Sequence, residues 1–132
     1  MADSTLRALA ESQNFVLAHS YESVVVIDKR DGKKRDAGDH YGDPVAGLIT
    51  PDERWFVSVG EGVQCLCADG RLVKFFHRGR PPSDGVLSKV ASSVSAVHLT
   101  SDHTLRITVD SNSDETSEWL INLDAGVVTR VN

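Results

Sequence analysis

Short apolar runs separated by polar turns occupy most of the chain. The runs are about four to eight residues long and are rich in Val, Ile, Thr and aromatic residues. In the run 105–109, apolar residues alternate with Arg106 and Thr108, which is the two-residue period of a half-buried strand. Only 6–11 and 86–90 have patterns that also suit a short helix. The pattern therefore predicts an all-β fold. Where strand alternation allows, the residues expected to point into the core are Trp55, Phe56, Val57, Ile107, Val109, Leu120, Ile121 and Leu123.

The chain repeats itself. Residues 46–52 match 96–102 at an offset of 50, with Ala, Thr and Asp coinciding, and the same offset places 55–59 over 105–109. Both segments continue to an apolar run that ends in Asp and Gly, followed by one more short run. The first forty residues follow the same template. We predict three units, near 6–36, 45–76 and 94–131, each with four strands.

The units resemble blades of a β-propeller of the WD-repeat or quinoprotein-like kind. In such blades an apolar strand, Thr-Pro-Asp, two more strands, an Asp/Gly turn and a last strand form one antiparallel sheet. The matching residues are 48–57 and 26–33. The Gly-His and Trp-Asp signatures of WD repeats are absent. The resemblance therefore implies blade-like β-meander units rather than membership of the WD-repeat family.

Three units are too few for an ordinary propeller, which closes with four to eight blades. The expected arrangements are an open stack or distorted sandwich of three sheets, or a six-bladed ring completed by a second chain. A single β-sandwich or barrel is the alternative. Because open sheet edges invite pairing, we expect either a homodimer or edges covered by the 77–93 connector and the N-terminal segment.

Length and charge narrow the function classes. The 132 residues suit one domain, 1–132, and the net charge of −5 makes nucleic acid an unlikely partner and favours a basic one. No apolar run approaches the roughly 20 residues that span a bilayer, and no basic, apolar leader is visible. We expect a cytoplasmic protein with no membrane contact.

Catalytic and metal-binding patterns are weak. The Cys65-x-Cys67 spacing lacks a second ligand pair, so two buried core residues are the preferred interpretation. The histidines show no zinc-hydrolase spacing, and no nucleophile elbow or phosphate-binding loop is present. We therefore expect no enzyme, no metal and no cofactor. The best acid–base candidate is the loop with Asp39, His40 and Tyr41.

The third unit carries an acidic insertion. Thr50 and Gly70 are 20 residues apart, whereas Thr100 and Gly126 are 26 apart. Insertions in repeat proteins lie in loops, often on the binding face. The acidic residues of the region 110–118 are Asp110, Asp114, Glu115 and Glu118, and the region contains no basic residue.

These features favour a non-catalytic protein-binding module. The specific hypothesis is a bacterial immunity protein that neutralises a cognate, basic toxin domain, for example a nuclease effector of contact-dependent growth inhibition. Its contacts would be the four acidic residues of the insertion together with Asp39, His40 and Tyr41. The alternative is a small-ligand binder or enzyme that uses the Asp39-His40-Tyr41 loop.

Overall fold

The computed structural model describes residues 6–40, 42–75, 93–110 and 116–131, and these form three four-stranded antiparallel sheets. The all-β prediction is confirmed. No helix in these ranges is long and apolar enough to cross a membrane. The strands are β1 (Arg7–Glu11), β2 (Phe15–Ser20), β3 (Ser23–Asp28) and β4 (Lys34–Asp39); β5 (Ala46–Ile49), β6 (Trp55–Gly60), β7 (Gly62–Cys67) and β8 (Leu72–Phe75); β9 (Ser93–Ser101), β10 (Thr104–Asp110), β11 (Thr116–Asn122) and β12 (Val127–Arg130).

Each sheet is a meander in chain order, and we call the three sheets blades 1, 2 and 3. The N-terminal segment whose pattern also suited a helix is the edge strand β1, and the other ambiguous segment, 86–90, lies outside the described residues. The first strands of consecutive blades, β1, β5 and β9, contact one another. The predicted blade-like repeats are therefore confirmed.

Blade 2 lies between the other two blades, and every residue of β6 and β7 is buried. One of its faces packs Phe56 and Leu66 against Leu17 and Val26 of blade 1. Phe15 meets Phe56 edge to face there, with ring centroids 5.1 Å apart. The opposite face packs against blade 3. Both blades contribute to this second core, whose buried residues are Trp55, Val57, Val59, Val63, Cys65, Cys67, Phe75, Val94, Leu105, Ile107, Val109, Trp119, Ile121, Leu123 and Val128.

The register of blade 3 differs from the sequence alignment by one residue. In each blade, the backbone amide of the residue after the third strand donates a hydrogen bond to the carbonyl of the residue before the second strand. The three equivalent bonds run from Lys29 to Asn14 at 2.8 Å, from Ala68 to Arg54 at 2.8 Å and from Leu123 to His103 at 2.9 Å. His103 thus matches Arg54, which makes the offset 49 rather than 50 in this part of the blade. The β9–β10 hairpin has register irregularities, one of them beside its turn.

The one-residue difference decides which face of β10 is buried, because successive strand residues point to opposite faces. Leu105 takes the place of Phe56, so Leu105, Ile107 and Val109 pack into the core with blade 2. Arg106 and Thr108 lie on the opposite, outer face. Leu120 pairs with Arg106 and shares that face, so its predicted core position is wrong. The core positions expected at 55–57, 107, 109, 121 and 123 are confirmed.

We expect Ile107→Ala to lower the free energy of unfolding by about 2–5 kcal/mol, because Ile107 is fully buried between blades 2 and 3. Thr108→Ala is the matched control on the outer face and should change it by less than about 0.5 kcal/mol. Urea denaturation followed by circular dichroism measures both. Equal effects would show that the faces of β10 are assigned the wrong way round.

Candidate functional site

The antiparallel strands place the connections of all three blades at two opposite ends. One end, the hairpin rim, carries the turns 12–14, 50–54 and 101–103 together with 29–33, 68–71 and 123–126. The other end, the acidic rim, carries residues 21–22, 39–45 and 60–62 and the ends of β10 and β11. Both ends contain candidate sites, and they differ in charge.

At the hairpin rim, Glu53 of blade 2 holds the first turn of blade 1. Its carboxylate accepts hydrogen bonds from the Ser12 hydroxyl, from the Asn14 backbone amide at 2.9 Å and from the Asn14 side chain at 2.8 Å. The hydrogen bond from Ser12, followed by those from Asn14, lowers the pKa of Glu53. Glu53 adopts a φ of 60°, an uncommon conformation for a residue other than glycine. These contacts link blades 1 and 2.

His103 makes the corresponding link between blades 2 and 3. Its Nε2 lies 2.6 Å from Oδ2 of Asp52, and its Nδ1 lies 2.7 Å from Oδ2 of Asp124. Trp55 of blade 2 also donates its indole N–H to Asp124 at 3.3 Å. Because both ring nitrogens face carboxylate oxygens, both donate, and the ring is the imidazolium cation. We call Asp52, His103 and Asp124 the imidazolium clamp.

The clamp shifts the titration of all three of its members. Hydrogen bonds to Asp124 and then to Asp52 raise the pKa of His103. The hydrogen bond from His103 lowers the pKa of Asp124. Burial opposes ionisation of Asp52, but hydrogen bonds from Thr50 and His103 outweigh it, so the pKa of Asp52 is also lowered. With both ring nitrogens occupied, the arrangement suits a link between blades rather than a general base.

The sequence analysis did not identify the clamp. Asp52 and His103 are 51 residues apart, and the 50-residue alignment placed His103 over Glu53. One feature of the sequence could have suggested this contact. Charged residues recur in the first turn of consecutive units, and those turns are neighbours when the units stack.

At the acidic rim, carboxylates outnumber basic groups. The described basic residues at or beside this end are Arg7 and Lys74, and Lys34 lines a groove together with Tyr21 and Glu22. Asp39 and Asp43 are exposed, and among the described residues neither forms an ion pair. The described acidic residues of this end are Glu22, Asp39, Asp43, Glu61 and Asp110.

The structure brings Asp39 and Asp110 to this same end. Asp39 ends β4 and is exposed, while Asp110 ends β10 and is half-buried. The exposed Tyr21, which the sequence analysis missed, lies at the same end with 69% of its surface accessible and a φ of 52°. Tyr41, Asp114 and Glu115 lie outside the described residues.

Two predicted contact residues have other environments. His40 is only 4% exposed, and its Nε2 lies 2.8 Å from the Ser58 hydroxyl of blade 2. Burial withdraws this imidazole from the accessible surface, so the ring itself offers little contact area to a partner. Glu118 lies one row in from the end of β11 and forms an ion pair with Arg106 at 2.7 Å, on the outer face of blade 3.

Charges at the hairpin rim, by contrast, are balanced locally. Ion pairs join Arg30 to Asp28 and Arg71 to Asp69, each at 2.9 Å. Lys29 forms a further ion pair with Glu11, and Arg35 donates to the backbone carbonyl of Ala68 at 3.2 Å. Within the described part of the chain, no cluster of His, Cys, Asp or Glu is suited to hold a metal ion.

The cysteine pair lies in the core between blades 2 and 3, as the preferred interpretation predicted. Cys65 and Cys67 are both buried and unbridged. Burial raises the pKa of the Cys65 thiol well above its ordinary value, so Cys65 stays neutral and unreactive.

The imidazolium clamp predicts a pH dependence of stability. The folded state holds the His103 proton more tightly than the unfolded state. Protonation of His103 therefore contributes fully to the free energy of unfolding below the ordinary histidine pKa of 6.5. This contribution is lost as pH rises through the raised pKa of His103. At the acidic side, the contribution of Asp52 and Asp124 is present above the ordinary aspartate pKa of 3.8 and is lost as pH falls through their lowered pKa values.

We therefore expect the midpoint of thermal unfolding to fall as pH rises from about 6 to 8.5. His103→Gln should lower the midpoint at about pH 6 and flatten this alkaline decline. His98→Gln, at an exposed residue on the outer face of blade 3, is the control and should keep the wild-type slope. An unchanged slope in His103→Gln would refute the charged clamp.

One solved structure, a β-propeller domain, supports the blade architecture. The chain superposes on the β-propeller domain of Cps50 (Swd1) from Myceliophteria thermophila with a TM-score of 0.61 and 15% identity, over 96% of this chain and 37% of that one. It also matches hydrazine synthase from Kuenenia stuttgartiensis, with a TM-score of 0.43, 16% identity and coverage of 100% and 51%. A third match is dihydro-heme d1 dehydrogenase NirN, with a TM-score of 0.41, 17% identity and coverage of 90% and 34%. No protein-family model and no curated protein matches the chain. The chain therefore has the fold of three β-propeller blades and spans well under half the length of that Cps50 domain chain.

Proposed function

We propose that the chain is a non-catalytic, cytoplasmic protein-binding module whose acidic rim receives a basic protein partner. The main observation that supports this proposal is that the hairpin rim and the acidic rim differ in charge. The hairpin rim carries charges of both signs and joins several of them in ion pairs, whereas the acidic rim gathers carboxylates with few basic residues near them.

Electrostatics explains why that rim suits a protein partner. Exposed carboxylates of one sign attract a basic surface over a distance, which raises the rate of encounter and orients the partner. The rim residues lie at the ends of strands in a packed stack of sheets, so they need little ordering on binding. Tyr21 adds an exposed aromatic ring, a residue type enriched at binding hot spots.

Within this class we propose an immunity protein that blocks a basic toxin domain, such as a nuclease. A carboxylate-rich rim can occupy a cleft that otherwise attracts phosphates. The net charge of −5 and the acidic insertion near 110–118 support this partner chemistry. The alternative site on Asp39, His40 and Tyr41 has weaker support, since the His40 ring is buried. We keep the homodimer as a proposal that uses the outer face of blade 1, which adjoins the acidic rim at Tyr21 and Glu22.

The rim is tested by reversing two exposed charges, Asp39→Lys with Asp43→Lys. The control is Asp31→Lys with Asp102→Lys, which makes the same charge change at exposed positions of the hairpin rim. The probe is a purified basic nuclease domain, and its rate of association with each variant is measured by stopped flow at about 50 mM salt.

We expect the acidic-rim variant to associate at least about tenfold more slowly than the control, because steering is local to the binding face. Unfolding free energies should change by less than about 0.5 kcal/mol in both variants. Raising the salt concentration to about 200 mM should slow association of the wild type and reduce the difference in association rate between the wild type and the acidic-rim variant. A separate variant, Asp114→Lys with Glu115→Lys, tests the insertion. Equal rates for the acidic-rim variant and the control would refute the proposed face.

A further inference from the structure

The outer face of blade 1 is an apolar sheet surface. Leu17 and Val26 point inward to blade 2, so the residues that alternate with them point outward. Val16, Val25 and Ile27 are each only half-buried. The apolar residues of this face are Ala8, Val16, Val25 and Ile27, together with Ala18, which is small and only 2% exposed.

The corresponding face is covered in the other two blades. In blade 2 it carries Phe56 and Leu66, which pack against blade 1. In blade 3 it carries Leu105 and Ile107, which are fully buried in the core with blade 2. Blade 1 therefore exposes a kind of surface that is core everywhere else in the described structure.

The opposite end of the stack is polar. The outer face of blade 3 presents Thr108 and the ion pair between Arg106 and Glu118, whose atoms are 2.7 Å apart. Packing that face onto the apolar face of blade 1 in a second copy would bury a charged pair against valine and isoleucine, at a large desolvation cost. A six-bladed ring closed head to tail is therefore disfavoured, and the partner of the apolar face must be another apolar surface.

Cross-strand pairing arranges the face in two rows. One row runs across the sheet from Glu11 through Val16 and Ile27 to Lys34. The next row runs from Ala8 through Ala18 and Val25 to Asp36. The first row has an acid at one edge, a base at the other and apolar residues between them. The Glu11 side chain is 61% exposed even though it also pairs with Lys29.

We propose that two copies of this chain form a homodimer by packing the outer faces of blade 1 together about a twofold axis parallel to the strands. Rotation about this axis places β1 of one copy opposite β4 of the other, and β2 opposite β3. Each row keeps its height along the strand direction, so equivalent rows face each other. Glu11 then lies opposite Lys34 of the partner subunit, and Val16 lies opposite the partner's Ile27. The row from Glu11 to Lys34 is thus self-complementary in charge and polarity, as an isologous interface requires. In the next row the exposed Asp36 lies opposite the partner's Ala8, at the edge of the interface where water can reach its carboxylate.

A groove at one corner of this face supplies further contact surface. Its volume is about 500 Å³. It is lined by Leu6, Val25 and Lys34, and on the side of the acidic rim by Ser20, Tyr21, Glu22 and Ser23. Val25 and Lys34 also belong to the two rows, so the groove is continuous with the apolar face. Aligned sheets pack about 10 Å apart, which allows side chains of the second copy to enter it.

Sedimentation velocity and light scattering at about 1–100 μM test the dimer. We expect the wild type to dimerise and Val25→Lys to raise the dimer dissociation constant at least tenfold. Leu120→Lys makes the same kind of change on the outer face of blade 3 and should leave the constant unchanged. Ile27→Lys is a second interface variant, and circular dichroism confirms that each variant is folded.

A charge exchange tests the axis itself. Glu11→Lys and Lys34→Glu should each weaken the dimer severalfold, because each places like charges across the interface. The double variant restores opposite charges and should recover most of the wild-type affinity. An axis of another direction would show no such recovery, and that result would overturn the proposed geometry.

Two further results would overturn the dimer. The first is a wild-type chain that remains monomeric at about 100 μM, whether the face is bare or is covered by residues 1–5 or 76–92. The second is a dimer that persists unchanged in both Val25→Lys and Ile27→Lys, which would place the interface elsewhere.

Discussion

A four-stranded meander has two faces and cannot bury both alone, and this constraint organises the protein. Stacking places blade 2 between its neighbours, which buries both faces of β6 and β7. The two interfaces use different side chains, with Phe56 facing blade 1 and Trp55 facing blade 3. The ends of the stack are left over, and their composition decides what else can attach there.

Links at the hairpin rim supplement this packing. Glu53 binds the first turn of blade 1, and His103 binds Asp52 and Asp124 across the gap between blades 2 and 3. Their charges are satisfied within the chain, so this end has little net attraction for a partner. The acidic rim lacks such pairing at Asp39 and Asp43 among the described residues, which leaves those carboxylates available for recognition.

Sequence reasoning succeeded where the physics is local. Alternation and turn residues predicted the strands, and the repeat predicted the three sheets with approximate boundaries. It failed in the alignment of β10, because a one-residue irregularity in the β9–β10 hairpin changes which face meets blade 2 without changing the apolar pattern. Leu120 was expected in the core, but it alternates with the buried Ile121 and therefore lies beside Arg106 on the outer face. His40 was predicted in a polar loop because its neighbours are Gly and Asp, and burial of its ring beside Ser58 depends on contacts that are distant in sequence.

The sequence by itself determined the all-β class, the four-stranded unit and the excess of acidic residues, since each follows from the order and kind of neighbouring residues. Only the tertiary structure decided which faces meet, because blade contacts join residues far apart in the chain. It alone joined His103 to Asp52 and gathered Asp39 and Asp110 at one end. It also placed Glu11 and Lys34 at opposite edges of one apolar face, because strand register aligns side chains that are distant in sequence.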